Sequence, residues 1–334
     1  MGAEKSKLAI EEYDPALDPN NVTVVIFVRH GTSCANVRKK QNPALRFDHT
    51  DILDPGLTRK GIHDARDKGI KLREKLVRNY GKIPPMVCAS VLLRTQMTAY
   101  MMMNPNLKKE YIITILPYIS EVGNWLQDDN KPRNFDKQQE MLTELGLTEF
   151  SEMKREGYIT YKGDDKPEKL KPNLIEFTKE LKELCDKNKT TQIESVPITR
   201  CSVKQKMINI SERDTRTSSP PIVIVTHGHV LEEFFKKMGS PLQGKSDRPN
   251  FVAFRVYFNH ETGHFIRNPD NIPYYYQYDH TLSEFDVHKE CEWESKYPAC
   301  ESEVCDTKKS VRSTKHIGGR RTRKKVRKYA QKNS

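Results

Sequence analysis

Four short runs of apolar, mostly β-branched residues place the strongest limit on how this chain can fold. They lie at residues 22–28, 86–89, 112–116 and 222–225, and each is apolar almost throughout rather than at alternate positions. Strands of this kind are buried on both faces, as in parallel sheets that helices cover on each side. None approaches the roughly 20 apolar residues of a membrane-spanning helix. We therefore expect a buried parallel sheet and no transmembrane segment.

Segments with helical periodicity lie between and after these runs. The first segment begins after Thr58 and the second after Ser90, and we expect these two polar residues to cap the N-termini of their helices. The apolar positions are Ile62, Ala65, Gly69, Leu72 and Leu76 in the first segment, Leu93, Met97 and Met101 in the second, Leu174, Phe177, Leu181 and Leu184 in the third, and Leu231, Phe234, Phe235 and Met238 in the fourth. Strands that alternate with helices predict a three-layer α/β fold with a mainly parallel central sheet flanked by helices.

The net charge of +12 comes from one end of the chain. Residues 308–334 hold 12 of the 57 Lys and Arg and no Asp or Glu, which leaves 45 basic and 45 acidic residues elsewhere. A block of like charge is typical of a disordered arm. We therefore predict an N-terminal extension at 1–20, a folded domain at 21–288, an acidic linker at 289–307 and a disordered polybasic tail at 308–334. The many charges and prolines from about 123 to 221 predict a long variable insertion in the domain.

Two histidines follow predicted strands, and each is followed directly by a glycine. Arg29-His30-Gly31 comes directly after the first strand, and His227-Gly228 comes after the last. Because ligands bind at the carboxyl ends of parallel strands, the two histidines can meet in one crevice. A guanidinium beside a partly neutral imidazole suits a phosphate group.

Arg94 and Glu121 follow the two middle strands. Arg94 falls in the first turns of a predicted helix, where backbone amides and a guanidinium can bind phosphate together. With Arg29, His30 and His227 it would line a four-sided pocket for a dianionic phosphoryl group. Glu121 would stand at the rim of that pocket as a proton donor.

Five motifs occur in a set order between about residues 21 and 260. They are Arg29-His30-Gly31 with Ser33 and Asn36, Asp54-Pro55-Gly56-Leu57-Thr58 with Gly61 and Ala65, Ser90 through Arg94 with Thr98-Ala99, Leu116 to Glu121, and Thr226-His227-Gly228. In this set the chain resembles the histidine phosphatase superfamily, specifically its phosphoglycerate-mutase-like branch. The resemblance implies that residues 21–288 form a histidine phosphatase domain.

The same resemblance implies a role for each matching residue. His30 would become transiently phosphorylated, and Glu121 would protonate the leaving group. The remaining matching side chains would bind the phosphoryl oxygens; they are Arg29, Arg94, His227, Ser33 and Asn36.

Two departures bear on the branch and on the reaction. The acid-phosphatase branch is expected to carry Asp after the second histidine, where this chain has Gly228. Mutases usually continue from the acid into an Arg-x-Tyr-Gly stretch, whereas here residues 122–125 read Val-Gly-Asn-Trp. We therefore expect metal-independent hydrolysis of a phosphate monoester through a phosphohistidine on His30, without a cofactor. A phosphoglycerate-type phosphomutase is the alternative enzyme.

The two ends of the chain suggest partners besides a phosphorylated substrate. The tail at 308–334 suits nucleic acid or an anionic membrane, and Met1-Gly2 with Ser6 fits the pattern for N-myristoylation at Gly2. A polyanion-binding or membrane-tethered protein, in which the tail is the main functional element, is the alternative function. The expected location is the cytoplasm, with a membrane or the nucleus as alternatives. The seven cysteines lack metal-type spacing, and free thiols are expected.

Overall fold

The computed structural model describes most of the predicted domain. The described residues are 8–36, 53–81, 84, 86–104, 111–121, 130–144, 146–147, 150, 153–157, 173–190, 214–242, 250–267 and 274–276. Gly2, the acidic linker at 289–307 and the polybasic tail at 308–334 lie outside them, so the expectations for these segments stay predictions. No helix in the described part of the chain is long and apolar enough to cross a membrane.

A single mixed sheet forms the centre of the described structure. Its strands are β1 (Ile10–Glu12), β2 (Val22–Arg29), β3 (Met86–Ala89), β4 (Ile112–Ile115), β5 (Lys154–Gly157), β6 (Ile222–Thr226), β7 (Ala253–Asn259), β8 (His264–Arg267) and β9 (Tyr274–Tyr276). Their order is β1-β8-β7-β2-β6-β3-β4-β5, and β9 pairs with β7. The run from β2 to β5 is parallel, whereas β7 is antiparallel to β2, β8 and β9. The four predicted strands are all present in this parallel run.

Helices cover both faces of the sheet, which makes three layers. They are α1 (Arg59–Tyr80), α2 (Leu93–Met103), α3 (Phe135–Glu144), α4 (Leu174–Thr190) and α5 (Gly228–Lys237). Alternate residues of β2 enter two separate cores: Val24 and Ile26 pack with α1 and α2, while Val25 and Phe27 pack with α4 and α5. The predicted α/β architecture is thereby confirmed.

The start of α1 agrees with the sequence. Thr58 is the N-cap, and its Oγ1 accepts a hydrogen bond of 2.9 Å from the backbone N–H of Gly61. The same turn packs against the loop after β2, since the Thr58 N–H donates to the carbonyl of Thr32 at 2.9 Å. A Cβ at Gly61 would overlap that carbonyl oxygen. Helix α1 therefore supports the loop that follows His30.

The start of α2 differs from the prediction. The helix begins at Leu93, its N-cap is Leu92, and no side chain of the cap residue bonds to the helix. Ser90 is therefore not the N-cap, and its hydroxyl instead lies 2.7 Å from a ring nitrogen of His227.

Part of the predicted insertion lies within the layers of the domain. Strand β5 pairs with β4 at the edge of the sheet, from Ile112 opposite Lys154 to Ile115 opposite Gly157. Helix α4 places Phe177 and Leu181 in the second core. Both elements fall between residues 123 and 221.

Candidate active site

The order of the sheet brings the ends of four strands side by side. Strands β2, β6, β3 and β4 are consecutive neighbours. The His30 N–H donates to the Thr226 carbonyl at 3.0 Å, and the Ser90 N–H donates to the Val225 carbonyl at 3.1 Å. The residues that follow these strands therefore lie at one edge of the parallel sheet. His30, His227, Ser90 and the turn that leads to Glu121 are all found there.

His30 is held in one tautomer by its own loop. Its ring is buried, and Nδ1 lies 2.6 Å from the carbonyl oxygen of Gly31. Since a carbonyl only accepts, Nδ1 carries the proton and Nε2 keeps its lone pair. Burial, with the charges of Arg94 and Arg29, holds the pKa of His30 well below its usual value. The imidazole is therefore neutral and able to act as a nucleophile.

His227 faces His30 across the site. The centroids of the two rings are 5.2 Å apart. His227 is fully buried; its Nε2 lies 2.7 Å from Ser90 Oγ, and its Nδ1 lies 3.4 Å from Glu121 Oε2. Burial and the charge of Arg94 lower the pKa of His227 well below its usual value. The contact with Glu121 is thus one between a neutral ring and a carboxylate, not an ion pair.

The two arginines supply the positive charge of the site. Arg94 is almost fully buried, and its Nη2 donates to Asn130 Oδ1 at 3.0 Å and lies 3.9 Å from Glu121 Oε2. Arg29 packs against the first residue of α5, because a Cβ at Gly228 would lie 3.1 Å from Arg29 Nε. A side chain at that position would require the guanidinium to shift by a few tenths of an ångström.

Asp54 holds the end of α2 that carries Arg94. Its buried carboxylate accepts hydrogen bonds from the Leu93 N–H at 2.9 Å, the Arg133 N–H at 2.9 Å and Gln138 Nε2 at 2.8 Å. Burial raises its pKa, and the three hydrogen bonds oppose that rise. Asp54 thus takes the place that the sequence suggested for Ser90, from a position 39 residues before Leu93.

Glu121 connects the interior of the site with the surface. Its side chain is 11% exposed, and its Oε1 lies 2.9 Å from Nδ1 of His229, whose side chain is 64% exposed. Burial raises the pKa of Glu121, but the hydrogen bond and charge of His229, together with Arg94 and Arg29, lower it below the usual value. The carboxylate is therefore ionised in the site as described.

A hydroxyl on β6 fixes the turn before Glu121. Thr226 Oγ1 donates to the carbonyl of Ile119 at 2.8 Å. Ile119 belongs to a 3-10 turn at Pro117–Ile119 and is buried. The strand that leads to His227 thus also positions Glu121.

Ser33 and Asn36 are close to the site, but their side chains form hydrogen bonds with each other and with Asn250. Asn36 Oδ1 accepts from the Ser33 N–H, from Ser33 Oγ and from Asn250 Nδ2, each at 3.1 Å. Neither side chain is hydrogen-bonded to the pocket residues in the described part of the chain. Their predicted phosphate binding stays a prediction.

Cys34, in the same loop, is disulfide-bonded, whereas Cys88 and Cys185 are free and buried. The expectation of free thiols is therefore wrong for Cys34. The local cysteine spacing carried no signal of this bond.

The structure brings together five of the predicted residues, Arg29, His30, Arg94, Glu121 and His227. A ring nitrogen of each histidine and a carboxylate oxygen of Glu121 lie within 4.8 Å of one another, so these three could hold a metal ion. Two guanidinium groups beside them favour an anion instead. Sequence reasoning missed Ser90 as a partner of His227, and also Asn130, Thr226 and His229. For His229 a signal existed, since it follows His227-Gly228 directly.

No family profile matches the chain, and no curated protein matches its sequence. Several solved structures are similar to it. Phosphoserine phosphatase from Entamoeba histolytica, in complex with 3-phosphoglyceric acid, is 13% identical, with 73% of this chain and 93% of that chain covered and a TM-score of 0.35. Mycobacterial glucosyl-3-phosphoglycerate phosphatase is 12% identical, with coverage of 73% and 96% and a TM-score of 0.37.

Phosphoglycerate mutase from Bacillus anthracis is 12% identical, with coverage of 75% and 93% and a TM-score of 0.39. Since the identities and TM-scores of these structures are low, the function proposed below is based on the geometry of this site.

Proposed function

We propose that this chain is a phosphatase of the histidine phosphatase superfamily, in its phosphoglycerate-mutase-like branch, and that it hydrolyses phosphate monoesters through a phosphohistidine on His30. One observation carries the proposal: the hydrogen bond of 2.6 Å between His30 Nδ1 and the Gly31 carbonyl leaves Nε2 unprotonated on a buried, neutral ring. An imidazole in that state is a nucleophile, and the guanidinium groups of Arg29 and Arg94 attract the anion that it would attack.

In the first step, His30 Nε2 attacks the phosphorus atom of the substrate. The N–P bond forms as the bond from phosphorus to the ester oxygen breaks. Negative charge that develops on the other phosphoryl oxygens is stabilised by Arg29 and Arg94 and by a ring N–H of His227. The leaving oxygen takes a proton from Glu121.

The ionised state of Glu121 fits this sequence of events once substrate is considered. In the site without substrate, Arg94 and Arg29 help to keep the carboxylate deprotonated. A dianionic phosphoryl group between those arginines would offset their charge and raise the pKa of Glu121. Proton uptake by the carboxyl group is thus coupled to substrate binding. In the second step, the carboxylate takes a proton from the water that attacks the phosphohistidine, and inorganic phosphate leaves.

The proposal is tested by trapping the intermediate. Wild-type protein mixed with para-nitrophenyl phosphate, and denatured quickly at alkaline pH, should carry a phosphate that is stable to alkali and labile to acid. His30→Ala should carry none and should lose hydrolysis. His63 is an exposed histidine on α1, and the matched control His63→Ala should behave as wild type. Retention of most activity by His30→Ala would overturn the proposed mechanism.

The same experiment separates a phosphatase from a phosphomutase. A phosphatase passes the phosphoryl group to water, so product alcohols added at high concentration would recover little of it. If labelled phosphate passes mainly from His30 to an added phosphoglycerate, the mutase alternative is correct.

A further inference from the structure

The pairing of β2 with β7 becomes irregular at the point where β2 reaches the site. The two strands pair residue by residue as far as Val28, which lies opposite Ala253. Beyond that pair, the Arg29 N–H donates to the Val252 carbonyl at 2.9 Å, while the Arg29 carbonyl accepts from the Phe251 N–H at 3.1 Å. Two residues opposite one form a β-bulge, and bulges occur often beside active sites. We call residues 251–252 the site bulge.

Phe251 has a backbone conformation that is unusual for a bulky residue. Its φ is 64°, in the left-handed region, where the first residue of this type of bulge is normally glycine. Among the described residues, the other non-glycine residue with a positive φ is Asp54, which holds the start of α2 at the site. Backbone strain of this kind persists where the surrounding structure enforces it, and it occurs often at functional sites. Both strained residues contact backbone that carries a pocket residue.

The left-handed conformation directs one N–H of Phe251 at two carbonyl groups. This N–H lies 3.1 Å from the carbonyl oxygen of Arg29 and 3.3 Å from that of His30, in a three-centred hydrogen bond. The same two peptide groups are held on their other side as well. The His30 N–H donates to β6 at 3.0 Å, and the Gly31 N–H donates to Thr98 Oγ1 at 3.0 Å. The backbone that carries Arg29 and His30 is therefore fixed in one orientation.

Side chains hold the site bulge in place. The ring of Phe251 is 1% exposed and packs in the first core, and Lys68 Nζ on α1 lies 5.9 Å from its centroid. The preceding residue, Asn250, donates from Nδ2 to Asn36 Oδ1 at 3.1 Å. Residues 250–252 thus contact both the beginning of the loop after β2 and the residue six positions beyond His30.

We propose that the site bulge positions Arg29 and His30 for phosphoryl transfer, with the Phe251 N–H as the anchor that their two carbonyl groups share. The proposal rests on the proposed function, because it concerns the same nucleophile. Phe251 is a positioning residue: it acts through Arg29 and His30. A reacting group that is misplaced by about 1 Å loses about 10²-fold in rate, so an anchor on its backbone has a measurable effect.

The first test removes the Phe251 N–H and leaves the side chain. Phenyllactic acid incorporated in place of Phe251 converts the amide into an ester, which has no N–H. Phosphorylation of His30 is measured by rapid mixing with saturating para-nitrophenyl phosphate and an alkaline quench. Its rate constant should fall about 10- to 100-fold.

The matched control is the same ester at Phe265. Phe265 is also buried, and its N–H donates to the Ala9 carbonyl at 3.1 Å. It pairs with Phe258, which lies opposite Thr23 at the other end of β2 from Arg29. This ester should lower the urea midpoint as the ester at 251 does, because each removes one backbone hydrogen-bond donor, but the phosphorylation rate should stay within about twofold of wild type. Equal phosphorylation rates in the two esters would mean that the site bulge has a structural role only.

A second test does not depend on the folding of the ester at 251. Phe251→Gly, Phe251→Ala and Phe251→Val all remove the ring, but they differ in how readily they adopt a positive φ. Glycine does so freely, whereas a β-branched residue is strongly disfavoured there. Among the folded variants, the phosphorylation rate should therefore decrease from glycine to alanine to valine. The reverse order, which follows apolar volume, would mean that Phe251 acts by filling the core and would overturn the proposal.

Failure of this proposal is distinct from failure of the proposed function. A phosphohistidine that forms at the wild-type rate in the ester at 251 would overturn the positioning role alone. Absence of a phosphohistidine in wild type would overturn the proposed function, and the positioning role with it.

Discussion

The loops after β2 and after β6 start from nearly the same sequence and give their histidines different surroundings. Both strands are buried and run directly into His-Gly, and both rings are buried with lowered pKa values. At His30 the ring nitrogen Nδ1 meets a backbone carbonyl, but at His227 the ring nitrogen Nε2 meets the hydroxyl of Ser90. A carbonyl fixes the tautomer because it only accepts, whereas a hydroxyl can donate or accept. In the proposed mechanism, the hydrogen-bond partner of each ring, more than the His-Gly motif, distinguishes the proposed nucleophile His30 from the proposed phosphate ligand His227.

The largest expected effect separates the two histidines directly. His30→Ala removes the nucleophile, so no phosphoenzyme should form. His227→Ala removes a group that stabilises charge, so kcat/KM should fall by about 10²- to 10³-fold while His30 is still phosphorylated. Single-turnover labelling with para-nitrophenyl phosphate measures both variants. If His227→Ala fails to label and His30→Ala labels slowly, the two roles are exchanged and the comparison is wrong.

Removal of the Ser90 hydroxyl, which lies beside His227, should have a smaller effect on activity. Ser90→Ala leaves the ring in place but removes its partner at 2.7 Å, so we expect kcat/KM to fall by about tenfold. The free energy of unfolding should decrease by about 1 kcal/mol. Thr98→Val is the matched change for the loop after β2, because Thr98 Oγ1, on α2, accepts from the Gly31 N–H of that loop at 3.0 Å. If Ser90→Ala slows the phosphorylation of His30 and the hydrolysis of the phosphohistidine to the same extent, Ser90 supports the whole site and not His227 alone.

The smallest expected effect is on how the free energy of unfolding depends on pH. Both rings have pKa values below the value of 6.5 that histidine has in an unfolded chain. At a pH between the folded-state and the unfolded-state pKa of a ring, the unfolded chain binds more protons than the folded protein. The free energy of unfolding should therefore fall as pH drops below about 6.5. The slope is at most about 1.4 kcal/mol per pH unit for each ring. Urea denaturation between pH 5.5 and 7.5 should give a shallower slope in His30→Ala and in His227→Ala. A slope unchanged in one of them would show that this ring titrates normally.

The sequence was sufficient to predict features that depend on residues close together along the chain. Apolar runs predicted β2, β3, β4 and β6, and Thr58 was correctly predicted as the cap of α1. The convergence of the five pocket residues follows from strand ends in a parallel sheet. In each of these cases the signal lies within a few residues, or follows from the fold class itself.

Features that depend on distant partners were not predictable in this way. Ser90 has the chemistry of an N-cap, but its hydroxyl contacts His227, and Asp54 bonds to the N–H of Leu93 instead. Strand β5 reads Lys-Arg-Glu-Gly, which carries no apolar pattern because it lies at the edge of the sheet. Which side chain meets which backbone group depends on the packed structure.

The contact between Gly61 and the Thr32 carbonyl has a consequence for how the sequence can vary. Position 61 lies on α1 and performs no chemistry, yet any side chain there would displace the loop behind His30. Among random variants selected for activity, position 61 should therefore accept almost no replacement. Its tolerance would match that of the pocket residues, even though it would never be found by searching for reactive groups.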